Sequence, residues 1–203
     1  GDNGLLAINT FTGGSITDNV GNVWTVTSAS NTGNNITADT TAPTLSSIKV
    51  TSPTEGTYKA GQKVTIVATY SENIKGTAPT MILKFGSTAG KGTVSAGTVS
   101  GKTINYTYTI TAGDNGLLAI NTFTGGSITD SVGNAWTVTS AKNTGNAITA
   151  DTTAPVLSAI TNSSNGNWAT SITLAWTITE NGSGIQKVEY SHDGTTFSAL
   201  SES

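Results

Sequence analysis

The side chains in this sequence best placed to do chemistry are carboxylates in short turn-like segments. Asp39 and Asp151 each sit in the hexapeptide Ala-Asp-Thr-Thr-Ala-Pro, at Ala38 to Pro43 and Ala150 to Pro155. Glu72 lies in Ser71-Glu72-Asn73, Asp114 in Gly113-Asp114-Asn115-Gly116, and Asp130 opens Asp130-Ser131-Val132-Gly133-Asn134. Glu180 precedes Asn181-Gly182, and Asp2 stands in a copy of the Asp114 segment. Carboxylates brought together repel unless a cation lies between them, and hard oxygen ligands favour Ca²⁺. The competing reading is turn chemistry, because Asp and Asn side chains bond nearby backbone amides in tight loops. The sequence leaves both open.

Other chemistry finds little support. His192 is the only histidine, in a hairpin-like stretch, so a catalytic dyad has nothing to build on. Two acids across a cleft would suit a glycosidase, but acids in the short loops of a repeating unit do not make an array of active sites. The chain is therefore read as non-enzymatic. Trp24, Trp136, Trp168 and Trp176 are assigned to core positions before sugar platforms. Gln62 and Lys63 open a strand without an evident crosslinking partner, and Asn-x-Thr sequons stand at Asn35 and Asn105. All nine basic residues are lysine and the net charge is −3, which speaks against nucleic acid. Cysteine is absent, so no disulfide contributes, and no apolar run is long enough to insert in a membrane.

The elements that must position these acids come from a repeat. Gly1 to Ile48 aligns with Gly113 to Ile160 without a gap, at an offset of 112 residues, with six differences in 48 positions. That period suits one β domain. The implied organisation is the end of one domain (1–38), a whole domain (39–150) and the start of a different one (151–203). Threonine supplies 40 residues, a β-rich composition. Seven strands are expected in the whole domain: Thr44 to Ser52, Lys63 to Tyr70, Thr80 to Phe85, Gly92 to Ser100, Lys102 to Ile110, Leu117 to Thr129 and Ala135 to Ser140. Gly125-Gly126 suggests a bulge, and Gly116 to Thr122 could hold a short turn. The fold class is all-β, as tandem immunoglobulin-like β-sandwich domains. Trp24 and Trp136, as repeat-mates, are expected in equivalent environments.

Strand reversal then places the loops. The loops holding Glu72 and Asp130 return to the end where Asp39 enters, with Asp2 facing them and Asn134 as a further ligand. The Asp114 loop lies at the opposite end, towards Asp151 and Glu180.

Three motifs, Thr69 to Ile74 (TYSENI), Ser127 to Asn134 (SITDSVGN) and Ala150 to Pro155 (ADTTAP), together resemble the immunoglobulin-like repeats of large bacterial surface adhesins, biofilm proteins and surface-layer-associated proteins. Thr173 to Tyr190 with Ser191-His192-Asp193-Gly194 is similar to a second bacterial immunoglobulin-like type, with Glu180 where that pattern has Asp. The resemblance implies an extracellular spacer or stalk at the bacterial cell surface, with calcium stiffening the junctions. Its partners would be the neighbouring domains, copies of itself in a fibre or layer, and a distal glycan or protein receptor. The alternative is a carbohydrate- or protein-binding module of a secreted enzyme or phage virion; near-identity of the copies favours the spacer. Incomplete domains at both ends would expose apolar faces, and completion by sequence outside the chain is favoured over pairing between molecules.

Overall fold

The computed structural model describes residues 2–7, 16–24, 36–137, 147–191 and 193–200. Two short strands, β1 (Gly4–Leu5) and β2 (Thr37–Ala38), pair before the central region. Eleven strands follow: β3 (Leu45–Ser52), β4 (Glu55–Tyr58), β5 (Lys63–Tyr70), β6 (Lys75–Thr77), β7 (Thr80–Phe85), β8 (Thr88–Val94), β9 (Thr98–Ser100), β10 (Thr103–Thr109), β11 (Gly116–Thr124), β12 (Ser127–Thr129) and β13 (Ala147–Ala150). The last segment holds β14 (Val156–Leu157), β15 (Thr161–Asn162), β16 (Leu174–Ala175), β17 (Ile178–Thr179), β18 (Glu189–Tyr190) and β19 (Ser198–Ala199). The chain is all-β: no helix forms among the described residues, and none is long and apolar enough to cross a membrane.

Period-two alternation builds the central core. Side chains on a strand point to opposite faces in turn. In β5 this buries Val64, Ile66, Ala68 and Tyr70; in β7 it buries Met81, Leu83 and Phe85; in β10, Ile104, Tyr106 and Tyr108. One sheet has the order β3-β5-β10-β9 and the other β4-β13-β11-β7-β8, and a single apolar cluster joins their inner faces. Phe85 meets Tyr108 at 5.8 Å and Tyr106 meets Phe123 at 6.2 Å, each pair spanning the two sheets. This is the arrangement of a β-sandwich.

Several expected elements differ in detail. Gly92 to Ser100 is split into β8 and β9, which belong to different sheets. Gly116 to Thr122 is strand and not a turn, and a register irregularity between Ile120 and Thr122 shifts the inward phase from Leu118 and Ile120 to Phe123, while Ala119 is buried outside the core cluster. Gly125 and Gly126, with φ of +63° and +77°, end β11 and send β12 to a new partner, β6. A Cβ at Gly126 would stand 2.6 Å from Pro79 Cα, and one at Gly76 would collide with the Ser127 carbonyl, so close backbone approach keeps both as glycine. Within Ala135 to Ser140, Ala135 makes one bridge to Thr129, while residues 138–140 lie outside the described residues. Strands β4 and β13, which pair in parallel, were not expected from the sequence.

Trp24 and Trp136 are not equivalent. Both follow the same short hairpin, with Trp24 N–H donating to Ile16 O and Trp136 N–H to Ile128 O. Trp136 then packs edge-on against Tyr70 and Phe123, at 5.5 and 6.0 Å, whereas Trp24 is about half exposed (52%). The local sequence sets the hairpin; the opposing sheet sets the environment.

Two buried tyrosines give a paired test. Tyr106 Oη donates to Pro79 O at 2.9 Å, whereas Tyr70 Oη is buried without a hydrogen-bond partner among the described residues. Burial pushes the Tyr70 hydroxyl up to about 12. Tyr70→Phe is expected to raise stability by about 1 kcal/mol, and Tyr106→Phe to lower it by about 1 kcal/mol, because only the second removes a made bond. Urea unfolding of the two variants checks this, and equal shifts of one sign would contradict it.

Candidate metal site

Three of the expected acids are brought together. One carboxylate oxygen each from Asp39, Glu72 and Asp130 lie within 4.8 Å of one another. Oxygens sharing a Ca²⁺ at about 2.3–2.6 Å can be at most about 5 Å apart, so the spacing fits one coordination shell. The three are exposed, half-buried and buried respectively.

Each carboxylate is held by its own loop. Glu72 follows β5 in a turn clamped at both sides, by Ser71 N–H on Thr44 O (2.9 Å) and Ile74 N–H on Gly101 O (2.9 Å). Asp130 follows β12 and folds the next four residues around itself. Its Oδ1 accepts the backbone N–H of Val132, Gly133 and Asn134 at 2.9, 2.7 and 2.9 Å, and Oδ2 accepts Asn134 Nδ2 at 2.7 Å. Burial works against its ionisation, but the bonds from Asn134, Gly133 and Val132 outweigh burial and hold it below the usual 3.8. Asp39 is placed by the linker, where its Oδ1 accepts Thr41 N–H at 3.0 Å.

Asn134 connects the parts. Its Nδ2 also donates to Asp39 O at 2.9 Å, so this side chain ties the linker to the Asp130 loop and acts as a positioning residue. Asp2 is exposed and stands outside the group of three; the residue beside it reaches the linker instead. Asn3 Oδ1 accepts Thr40 N–H at 2.6 Å and Asn3 Nδ2 donates to Thr41 Oγ1 at 2.7 Å. Asn115, the repeat-mate of Asn3, likewise accepts Thr152 N–H at 2.8 Å. These asparagines were missed because Asn in a Gly-rich turn reads as local turn chemistry. The repeat itself was the available signal: Asn3 and Thr40 recur together as Asn115 and Thr152.

Two lysines come to the same loops, although neither is paired with the acids. Lys75 Nζ donates to Ser131 O at 2.7 Å and Lys102 Nζ to Ser71 O at 3.1 Å. Among the described residues the recorded ion pair is Lys187 with Glu189, remote in sequence from the cluster.

The second linker is arranged differently. Asp151 accepts Ser183 N–H at 2.6 Å, and bonds from Ser183, then Thr153, hold its carboxyl below the usual range. Glu180 Oε1 accepts Gly182 N–H at 2.7 Å. Asp114 does not join them. It is buried in the central core's margin, where Oδ2 accepts Tyr108 Oη (2.7 Å), Thr111 N–H (2.8 Å) and Thr111 Oγ1 (3.1 Å). Among the described residues no group of three acids forms at this linker.

The depressed Asp193, Asp130, Asp18 and Asp151 carboxyls set the acid response, Asp193 the most strongly lowered through the backbone N–H of Thr196 and Thr195. A carboxyl lowered on folding contributes stability that is fully present above its unfolded value and is lost as pH falls through the folded value. Stability is therefore expected to be level from pH 7 to about 5 and to fall below about pH 4, with Asp130→Ala lowering Tm at neutral pH and flattening that fall. Thermal melts across pH check both, and an unchanged Asp130→Ala profile would count against this role. Compared with protein-family models, curated proteins and solved structures, the chain matches none.

Proposed function

We propose that this chain is a segment of an extracellular structural spacer on a bacterial surface protein, built of tandem immunoglobulin-like sandwiches whose junction is stiffened by calcium. The observation that carries this reading is the repeated linker chemistry. Asn3 with Thr40, and Asn115 with Thr152, make the same contact 112 residues apart, and Gly113 N–H adds a bond to Thr152 Oγ1 at 2.9 Å. A chain that spends side-chain bonds on fixing its linkers favours a defined direction over free articulation. The acidic group at Asp39, Glu72 and Asp130 supports a hard divalent cation on the same grounds, since linker and loops contribute one carboxylate each. Ca²⁺ bound there would draw the linker and two loops together and offset their mutual repulsion.

The binding-module alternative gains nothing from Trp168. That side chain is fully exposed, but most other large apolar residues between 156 and 200 are also open to solvent, at 37–63%, so exposure alone does not make it a platform.

Millimolar Ca²⁺ on a site of about 10 μM affinity would add about 2.7 kcal/mol, on the order of 10 °C in Tm. Asp39→Asn with Glu72→Gln should abolish that difference between Ca²⁺ and chelator while leaving the chelator Tm nearly unchanged. Small-angle scattering should give a longer, narrower particle in Ca²⁺. Identical Tm and dimensions with and without Ca²⁺ in the unsubstituted chain would overturn the calcium part of the proposal.

A further inference from the structure

The turn between β10 and β11 is held from two sides. On the core side Asp114 is 1% exposed, and its Oδ2 accepts three hydrogen bonds, from Tyr108 Oη, Thr111 N–H and Thr111 Oγ1. Asp114 N–H closes the same turn on Thr111 O at 3.1 Å. On the linker side, the two residues flanking Asp114 both hold Thr152. Gly113 N–H donates to Thr152 Oγ1, and Asn115 Oδ1 accepts Thr152 N–H and Oγ1 at 2.8 and 3.2 Å. One three-residue stretch therefore faces the core through its middle member and the linker through its outer two.

Tyr108 carries this arrangement into the core. It belongs to β10 and to the central apolar cluster, with its ring beside Phe85. A Cβ at Gly92 of β8 would stand 2.8–2.9 Å from its ring and hydroxyl. Packed in this way the ring has no room to swing, so its hydroxyl is a fixed point. Burial first, with Asp114 acting in the same direction, holds that hydroxyl above its ordinary value, and it remains a donor at neutral pH. A hydrogen bond onto a carboxylate contributes more than a neutral one, and turning Asp114 away would strand a buried polar group.

The linker leaves the domain beside this point. Ala150 pairs with Gly116, Asp151 N–H donates to Tyr58 O, and Thr152 N–H donates to Asn115, so three successive residues are tied. The first two ties are to strands; the third is to the turn that Asp114 holds.

We propose that Asp114 and Tyr108 are positioning residues for the second linker: the buried clasp sets the turn, and the turn sets where Thr152 and the chain after it point. This deepens the spacer reading and rests on it only for the use of a fixed direction. The test is run in chelator and reads a single linker amide, so failure of the calcium reading and failure of this one are distinguishable.

The measurement is amide hydrogen exchange by NMR on the full chain, with Thr152 compared against the protected amides of β5 and β7. Tyr108→Phe should speed Thr152 exchange about tenfold relative to those strands, and Asp114→Ala by more, because it removes the acceptor of all three bonds. Gly92→Ala, which presses on the Tyr108 hydroxyl from β8, should speed it in the same way. Asn115→Ala cuts the linker's own tie and should also speed it. Adding Tyr108→Phe to Asn115→Ala should then change Thr152 little further, since both act through one route. Equal speeding of Thr152 and the central strands would show only a general loss of stability and overturn the proposal. Unchanged Thr152 exchange in Tyr108→Phe, or full additivity of Tyr108→Phe with Asn115→Ala, would overturn it equally.

Discussion

An apolar sheet face is stable in water only against another apolar face, and every part of this molecule follows from whether that partner is present. Between Leu45 and Ala150 both sheets exist, and their inner residues are almost wholly buried. At roughly 25 cal/mol for each Å² of apolar surface removed from water, that closure is the dominant favourable contribution to folding. On either side of it the same residue types in the same local geometry stand in solvent. Trp24 and Trp136 show the point most directly: one hairpin, two environments.

The loops at the sandwich margins use carboxylates in two ways. Asp114 is a clasp, holding Tyr108 and the Thr111 turn through a single oxygen. Asp130 also organises its own loop, but it keeps company with Glu72 and Asp39 and is tied to the linker through Asn134. Turn chemistry and cation chemistry therefore do not exclude each other here. Held by three backbone N–H groups on Oδ1 and by Asn134 Nδ2 on Oδ2, the Asp130 carboxylate is fixed in direction, which is what a cation site requires of its ligands.

Alternation made the central strands legible. Lys63–Tyr70 and Thr80–Phe85 have the expected bounds because each buries every second residue without interruption. Where burial departs from period two, as at Leu118, Ala119 and Ile120, the sequence signal weakened, and the expected Leu117 to Thr129 strand was left open to a short turn at its start. Strands β4 and β13 were illegible because Glu55–Tyr58 and Ala147–Ala150 are short, and a parallel partner so distant in sequence leaves no local trace. The convergence of Asp39, Glu72 and Asp130 followed from counting strand reversals. The placement of Asp114 did not, since a buried hydrogen bond to Tyr108 depends on which face of β10 carries the tyrosine. The roles of Asn3 and Asn115 were written in the repeat but lacked any charge to draw attention to them.

The parallel pairing of β4 with β13 bears on how the central region meets tension. Four residue pairs, from Ala147 with Glu55 to Ala150 with Tyr58, run in the same direction, and Asp151 N–H extends the series to Tyr58 O at 2.9 Å. A pull arriving through the preceding linker loads β3 on β5 first, and only what passes on to β4, against a pull leaving at Asp151, draws β4 and β13 lengthwise past one another. Their hydrogen bonds are then loaded in shear, all at once, instead of being peeled open singly from one end. Bonds loaded together in this way resist a lengthwise pull more than the same bonds peeled open one at a time, which is a property of the parallel geometry itself.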